Sequence, residues 1–190
     1  MQNITKADRN KLNLHKGMVV WLTGLSGAGK STLANELEKE LFAMGLRTYI
    51  LDGDNIRAGL NKDLSFTEEG RKENIRRIGE VAKLFLDAGL IVIVAFISPY
   101  IEDRKMAREI MGENEFVEVF VNCPLEICEQ RDVKCLYQKV RMGMIKNFTG
   151  IDSNYEIPLC PDITVNTHQQ SITECVNKIM ETILQVINLK

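Results

Sequence analysis

Gly24-Leu25-Ser26-Gly27-Ala28-Gly29-Lys30-Ser31 reads G-x-x-x-x-G-K-[ST], and its flanks give that spacing a structural meaning. Met18-Val19-Val20-Trp21-Leu22 before it is apolar and rich in β-branched residues, the pattern of a strand buried on both faces. After it, Leu33, Leu37 and Leu41 recur at helical spacing. Strand, glycine loop and helix start together form the context of a phosphate-binding loop. Glycines let backbone N–H groups wrap phosphate oxygens, and the helix N-terminus adds partial positive charge. Gly24, Leu25, Ser26, Gly27, Ala28, Gly29, Lys30, Ser31 and Thr32 are thus the expected triphosphate-binding residues. Lys30 is expected to reach the β/γ-phosphates, and the Ser31 hydroxyl to ligate Mg²⁺.

The chain around this loop has 190 residues, 45% of them hydrophobic and 26% charged, as expected of one globular domain spanning 1–190. A net charge of −2 argues against bulk attraction to nucleic acid or to an anionic membrane. No apolar run approaches the roughly 18 residues of a membrane span. The start, Met1-Gln2-Asn3-Ile4-Thr5-Lys6, lacks a signal peptide's apolar core, so a cytoplasmic location is expected. Five cysteines without C-x-x-C spacing read as free thiols.

Strand and helix signals alternate, predicting an α/β fold: three layers, with a mostly parallel central sheet between helices. Further strands are expected at 47–51, 90–97, 116–121 and 163–165. Ser65-Phe66-Thr67-Glu68 resembles a capping box ahead of a long helix whose buried face carries Ile75, Ile78, Ala82, Phe85 and Leu86. Pro124 fits the first position of a short helix ending near Arg131. Ser171-x-x-Glu174 caps a last helix with Ile172, Val176, Ile179, Ile183 and Ile187 on one side. Residues 132–160 have few periodic apolar positions and carry Lys134, Lys139, Arg141 and Lys146; such a long irregular stretch predicts a lid. The segment Ile4 to Leu14 is too polar to predict a dedicated interface.

Phosphoryl transfer also needs carboxylates, and the strand ending at Phe96 supplies none. Asp52 and Asp54, after the second predicted strand, are the natural substitutes, because ligands of open α/β sheets bind beyond the strands' carboxyl ends. Asp54 is the candidate base for an acceptor hydroxyl, and Asp52 supports Mg²⁺ directly or through water. The same Asp-Gly-Asp-Asn stretch also reads as a simple turn.

Five motifs, in order, resemble the adenylylsulfate kinase family across residues 4–188: the loop itself, Leu51-Asp52-Gly53-Asp54-Asn55-Ile56-Arg57-x-Gly59-Leu60-Asn61 followed by Phe66, Arg71-x-x-Asn74, Phe96-Ile97-Ser98-Pro99-Tyr100, and Phe148-Thr149-Gly150-Ile151-Asp152. The resemblance implies transfer of the ATP γ-phosphate to the 3′-hydroxyl of adenosine 5′-phosphosulfate. It assigns Asp54, Asn55, Arg57, Phe66, Arg71, Asn74, Ile97, Ser98, Lys134, Phe148 and Thr149 to the acceptor pocket, and Arg131 to the ATP adenine. Guanidinium forks at Arg57 and Arg71 suit an oxyanion. Phe66 and Phe148 suit an adenine between aromatic faces. Each has a plainer alternative: Phe66 as a hydrophobic staple, Phe148 as core, and Arg71, Arg76 and Arg77 as a solvated helix face. The family has also been assigned a phosphoserine at the position of Ser98. No base is visibly placed to activate that hydroxyl, so a positioning role is favoured. Homodimers are common in the family, and a homodimer is allowed here.

The chain departs from the family pattern at several points. Ser65 stands where Gly is common, Gly70 where Asp is common, Cys135 and Asn147 where Gly is common, Met144 where Glu is common, and Asn122 where Asp is common. None removes a proposed phosphate, Mg²⁺ or arginine contact; lid geometry is what they bear on. Two other readings remain open: another small-acceptor kinase of the phosphate-loop type, and a catalytically silent nucleotide-binding regulator.

Overall fold

Strand β1 (Met18–Thr23) is buried along its whole length and runs through the middle of a five-stranded sheet. The computed structural model describes residues 3–188, so Met1 and Gln2 of the polar start lie outside it. Ahead of β1 is a helix, α1 (Lys6–Asn13), which Thr5 and Asp8 cap reciprocally. The polar composition of this segment concealed that helix.

After β1 come α2 (Lys30–Ala43), β2 (Thr48–Asp52), α3 (Gly53–Ala58), α4 (Glu68–Asp87), β3 (Ile91–Ala95) and α5 (Ile101–Glu109). They are followed by β4 (Phe116–Asn122), α6 (Leu125–Arg131), α7 (Leu136–Arg141), β5 (Ile163–Asn166) and α8 (Ile172–Ile187). All four strand pairings are parallel, in the order β2-β3-β1-β4-β5. Alternation along β1 divides the core: Met18, Val20 and Leu22 pack with α2 and α8, while Val19 and Trp21 pack with α4 and α5. Burying both faces is what makes β1 and β3 continuous apolar runs rather than alternating ones. Among the described residues no helix is long and apolar enough to cross a membrane. All five cysteines are free.

Several expectations shift. The third predicted strand, 90–97, is shorter than its apolar run, because Phe96, Ile97 and Ser98 form the loop leaving β3. The cap of α4 is Thr67, whose side chain accepts from the Gly70 N–H, not Ser65. The Ser65 hydroxyl is engaged with that of Thr67 at 2.9 Å, and the helix begins at Glu68, two residues later than expected. Pro124 is the cap of α6 rather than its first residue, with an extended ψ of 144°. Ile172 is exposed at the first residue of α8, and Cys175 takes its place on the buried face. The 132–160 segment is not wholly irregular: α7 buries Tyr137 and Val140 one turn apart.

Candidate active site

Because every strand is parallel, the carboxyl ends of β1, β2 and β3 deliver the glycine loop, the two aspartates and the Ile97-Ser98 stretch to the same edge of the sheet. The loop bends where only glycine fits. A Cβ on Gly24 would lie 2.5 Å from the Val121 carbonyl oxygen, and Gly29 caps α2 with φ +100°. Lys30, the first residue of α2, is buried and turned back onto the loop. Its Nζ donates to the carbonyls of Gly24 (2.9 Å) and Leu25 (2.7 Å). Burial pushes this lysine down to about 8; the like charge of Lys134 adds to the shift, and Cys128, Asp52 and Asp54 oppose it.

Ser31, one residue further, donates its hydroxyl to Asp52 Oδ2 at 2.8 Å. The other Asp52 oxygen accepts from the Asp54 N–H at 3.0 Å and so caps α3. The Asp-Gly-Asp-Asn stretch is therefore a helix start, not a free turn, and one carboxylate joins it to the loop. Ser31 and Asp52 offer hard oxygen donors side by side, which suits Mg²⁺. Among the described residues no group of three His, Cys, Asp or Glu side chains is arranged to hold a metal. A cation here would take its remaining ligands from phosphate and water, as Mg²⁺ does.

The three-residue spacing of Asp54 and Arg57 places them on one side of α3. Exposed Asp54 is paired with Lys134, a residue from the segment between α6 and α7. The Arg57 guanidinium lies 4.3 Å over the Phe66 ring, and the ring itself is 62% exposed. Arg71 is buried. Its Nε donates to the Phe66 carbonyl at 3.1 Å, and its fork donates to the Thr149 hydroxyl and the Asn147 carbonyl. Among the described residues neither arginine has a carboxylate partner, and burial together with the charge of Arg71 pulls Arg57 below its ordinary value. Two guanidinium cations with no carboxylate to neutralise them among the described residues, near enough for Arg71 to act on Arg57, make a receptive place for an anion.

The remaining expected residues are distributed unevenly. Asn74 is buried and its Oδ1 accepts from Asn61 Nδ2 at 3.0 Å. Asn55 is exposed on α3. Phe148 packs edge-on against Tyr137, with ring centres 5.0 Å apart, while Phe66 lies under Arg57, so each ring has its own partner. Arg131 donates to the carbonyls of Gly27 and Thr167 at the rim of the loop. Arg76 and Arg77 form ion pairs with Glu73 and Asp63, a solvated helix face. Ser98 is buried, with φ +40°; its hydroxyl accepts from Trp21 Nε1 at 3.1 Å, and its carbonyl accepts from Arg104 at 2.6 Å. A hydroxyl spent on an indole inside the sheet favours positioning over covalent chemistry.

Two of the family departures touch. A Cβ on Gly70 would fall 2.4 Å from the Ser65 carbonyl oxygen, so this turn admits no side chain at 70. Cys135 and Asn147 both have left-handed backbones, φ +53° and +57°. Sequence reasoning passed over Tyr137 and Thr167, which brace the loop at the Ser26 carbonyl (2.9 Å) and the Ala28 carbonyl (2.8 Å). Two buried positions in the six-residue α7 are too few to mark the first, and the second follows β5 with no motif around it. Asp152 was quoted only as part of a motif; its carboxylate accepts from the Asn147 and Phe148 N–H groups and ties the turn that carries Phe148.

Comparison with known proteins agrees with this geometry. A family model described as adenylylsulphate kinase matches residues 16–166. The adenylyl-sulfate kinase of Oceanobacillus iheyensis is 58% identical over 94% of this chain and 89% of its own length. That of Clostridium acetobutylicum is 57% identical over 96% and 90%. Among solved structures, the Mycobacterium tuberculosis APS kinase in complex with AMPPNP and APS superposes with a TM-score of 0.86 at 45% identity, covering 89% of this chain and 98% of that one. With the loop and the paired aspartates gathered at one sheet edge, and with relatives matched over nearly their whole length, the chain belongs to the adenylylsulphate kinase family.

Proposed function

We propose that the protein transfers the γ-phosphoryl group of ATP to the 3′-hydroxyl of adenosine 5′-phosphosulfate, giving ADP and 3′-phosphoadenylyl sulfate. The observation that carries this reading is the pair of half-buried Arg57 and buried Arg71, free of carboxylate partners among the described residues, with Arg57 on the same helix as Asp54. An anionic acceptor with a hydroxyl group satisfies both.

In this reading the loop N–H groups and Lys30 hold the triphosphate, and Arg131 lies at the adenine end. Asp54 takes the proton as the 3′-oxygen bonds to the γ-phosphorus and the bond from that phosphorus to the β,γ-bridging oxygen breaks; ADP leaves. Ser31 and Asp52 would hold Mg²⁺, which when bound neutralises charge on the transferring phosphates. Arg57 and Arg71 orient the phosphosulfate, and Phe66 offers an exposed face to the acceptor's adenine. Asn74, Ile97 and Ser98 line the pocket, with Ser98 acting through its backbone. Residues 132–160 act as a lid: Lys134 exchanges Asp54 for substrate oxygens, and Phe148-Thr149 closes over the acceptor.

The test is direct. Purified protein with Mg-ATP and adenosine 5′-phosphosulfate is expected to form ADP and 3′-phosphoadenylyl sulfate in equal amounts. Turnover no greater than the enzyme-free blank, or turnover with a sugar acid instead, would overturn the assignment.

A further inference from the structure

Tyr137 is an aromatic residue inside the lid segment, yet it is buried. Its hydroxyl donates to the Ser26 carbonyl at 2.9 Å, and its ring meets Phe148 edge-on at 5.0 Å. Asp132 fixes the start of the helix that carries it, accepting from the N–H groups of Tyr137 (3.1 Å) and Gln138 (2.9 Å). Burial raises the phenol well above its ordinary value, so the hydroxyl keeps its proton and remains a donor at neutral pH.

A trans peptide points its C=O and its following N–H in opposite directions. A donor that holds the Ser26 carbonyl toward the core therefore turns the Gly27 N–H the other way, toward the phosphate side of the loop. The next two carbonyls are held from outside as well: Gly27 by Arg131 at 3.3 Å and Ala28 by the Thr167 hydroxyl at 2.8 Å. Of these three braces, the Tyr137 brace alone comes from the 132–160 segment, and it alone also touches a residue expected to contact the acceptor.

We propose that Tyr137 is a positioning residue that sets the Ser26–Gly27 peptide for triphosphate through its hydroxyl, and sets Phe148 for the acceptor through its ring. The proposal rests on the phosphoryl-transfer reading above and deepens it. One side chain serves both substrates by two separable groups, so the two contributions come apart by mutation.

Tyr137→Phe removes only the hydroxyl, and Tyr137→Leu removes the hydroxyl and the ring edge. Binding of a non-hydrolysable ATP analogue with Mg²⁺, measured without acceptor, is expected to weaken about three- to tenfold in Tyr137→Phe. The ATP KM rises with it, while the acceptor KM stays at the wild-type value. Tyr137→Leu raises both KM values. Wild-type analogue affinity in Tyr137→Phe overturns the proposal, as does an equal rise of both KM values in that variant. A lowered Tm with unchanged affinity makes the residue merely structural, and overturns it too. Analogue binding needs no acceptor, so it still reads if adenylylsulfate is not phosphorylated.

Discussion

On the nucleotide side the site is made of backbone: a loop shaped by Gly24, Gly27 and Gly29, braced from behind by Tyr137, Arg131 and Thr167, with Lys30 already buried beneath it. On the acceptor side it is made of long side chains that are satisfied by one another. Lys134 holds Asp54, Arg71 holds Thr149 and Asn147, and Arg57 covers Phe66. The first half has its backbone set in advance, and the Lys30 ammonium is the group that must turn from the Gly24 and Leu25 carbonyls to reach phosphate. The second must trade internal contacts for substrate contacts, one for one. Binding energy for the acceptor is thus a difference between two sets of contacts, whereas the loop's carbonyl braces lie on the side chains behind it.

That contrast can be broken at Asp54. Asp54→Asn is expected to lower kcat by about 10²–10⁴ while the affinity for Mg-ATP analogue stays near wild type, because the loop does not depend on the carboxylate. Full activity would remove the proton-accepting role. Lys30 sharpens the comparison through pH. Its folded value of about 8 lies below the ordinary lysine range, and bound triphosphate favours the ammonium. Analogue affinity is therefore level below about pH 8 and falls as pH rises above it, by up to about tenfold per unit. A profile that stays level to about pH 9.5 would count against an ammonium contact.

Arg57→Lys is expected to raise the acceptor KM on the order of tenfold with the ATP KM unchanged, since an ammonium lacks the fork. Equal changes in both would mean that the two halves are not separately organised. The smallest effect is expected at Ser98. Ser98→Ala removes one hydrogen bond from Trp21 and is expected to hold turnover within about threefold. A loss beyond about a hundredfold, together with recovery of label from γ-labelled ATP on Ser98 of the wild type, would restore a phosphoserine route.

The nucleotide half was legible in the sequence because its parts are contiguous. Eight consecutive residues and two apolar flanks specify it, and the sheet follows from the periodicity of β1, β3 and α2. The aspartates were legible by their place at the carboxyl end of β2. What escaped depends on contacts across distance. Thr167 lies far along the chain from Ala28, and nothing in its neighbourhood marks it as a brace. Tyr137 sits in a polar, basic stretch whose single buried turn is too short for a periodic signal. The start of α4 was misplaced because Ser65 and Thr67 are both capping residue types two positions apart, and it is the Thr67 side chain that accepts from the Gly70 N–H. Phe66 and Phe148 were read as a pair from chemistry, and the structure gives each ring its own neighbour.

The left-handed turns at Cys135 and Asn147 have a mechanical consequence. They stand at the start of α7 and just before Phe148, and both are side-chain-bearing residues in a backbone region where glycine is at ease. Such a conformation costs an ordinary residue roughly 1–2 kcal/mol, and asparagine less. The two turns are a standing strain in the folded chain, one on each side of the stretch from α7 to Phe148. Cys135→Gly is expected to relieve it and raise the Tm, and Asn147→Gly to change the Tm less.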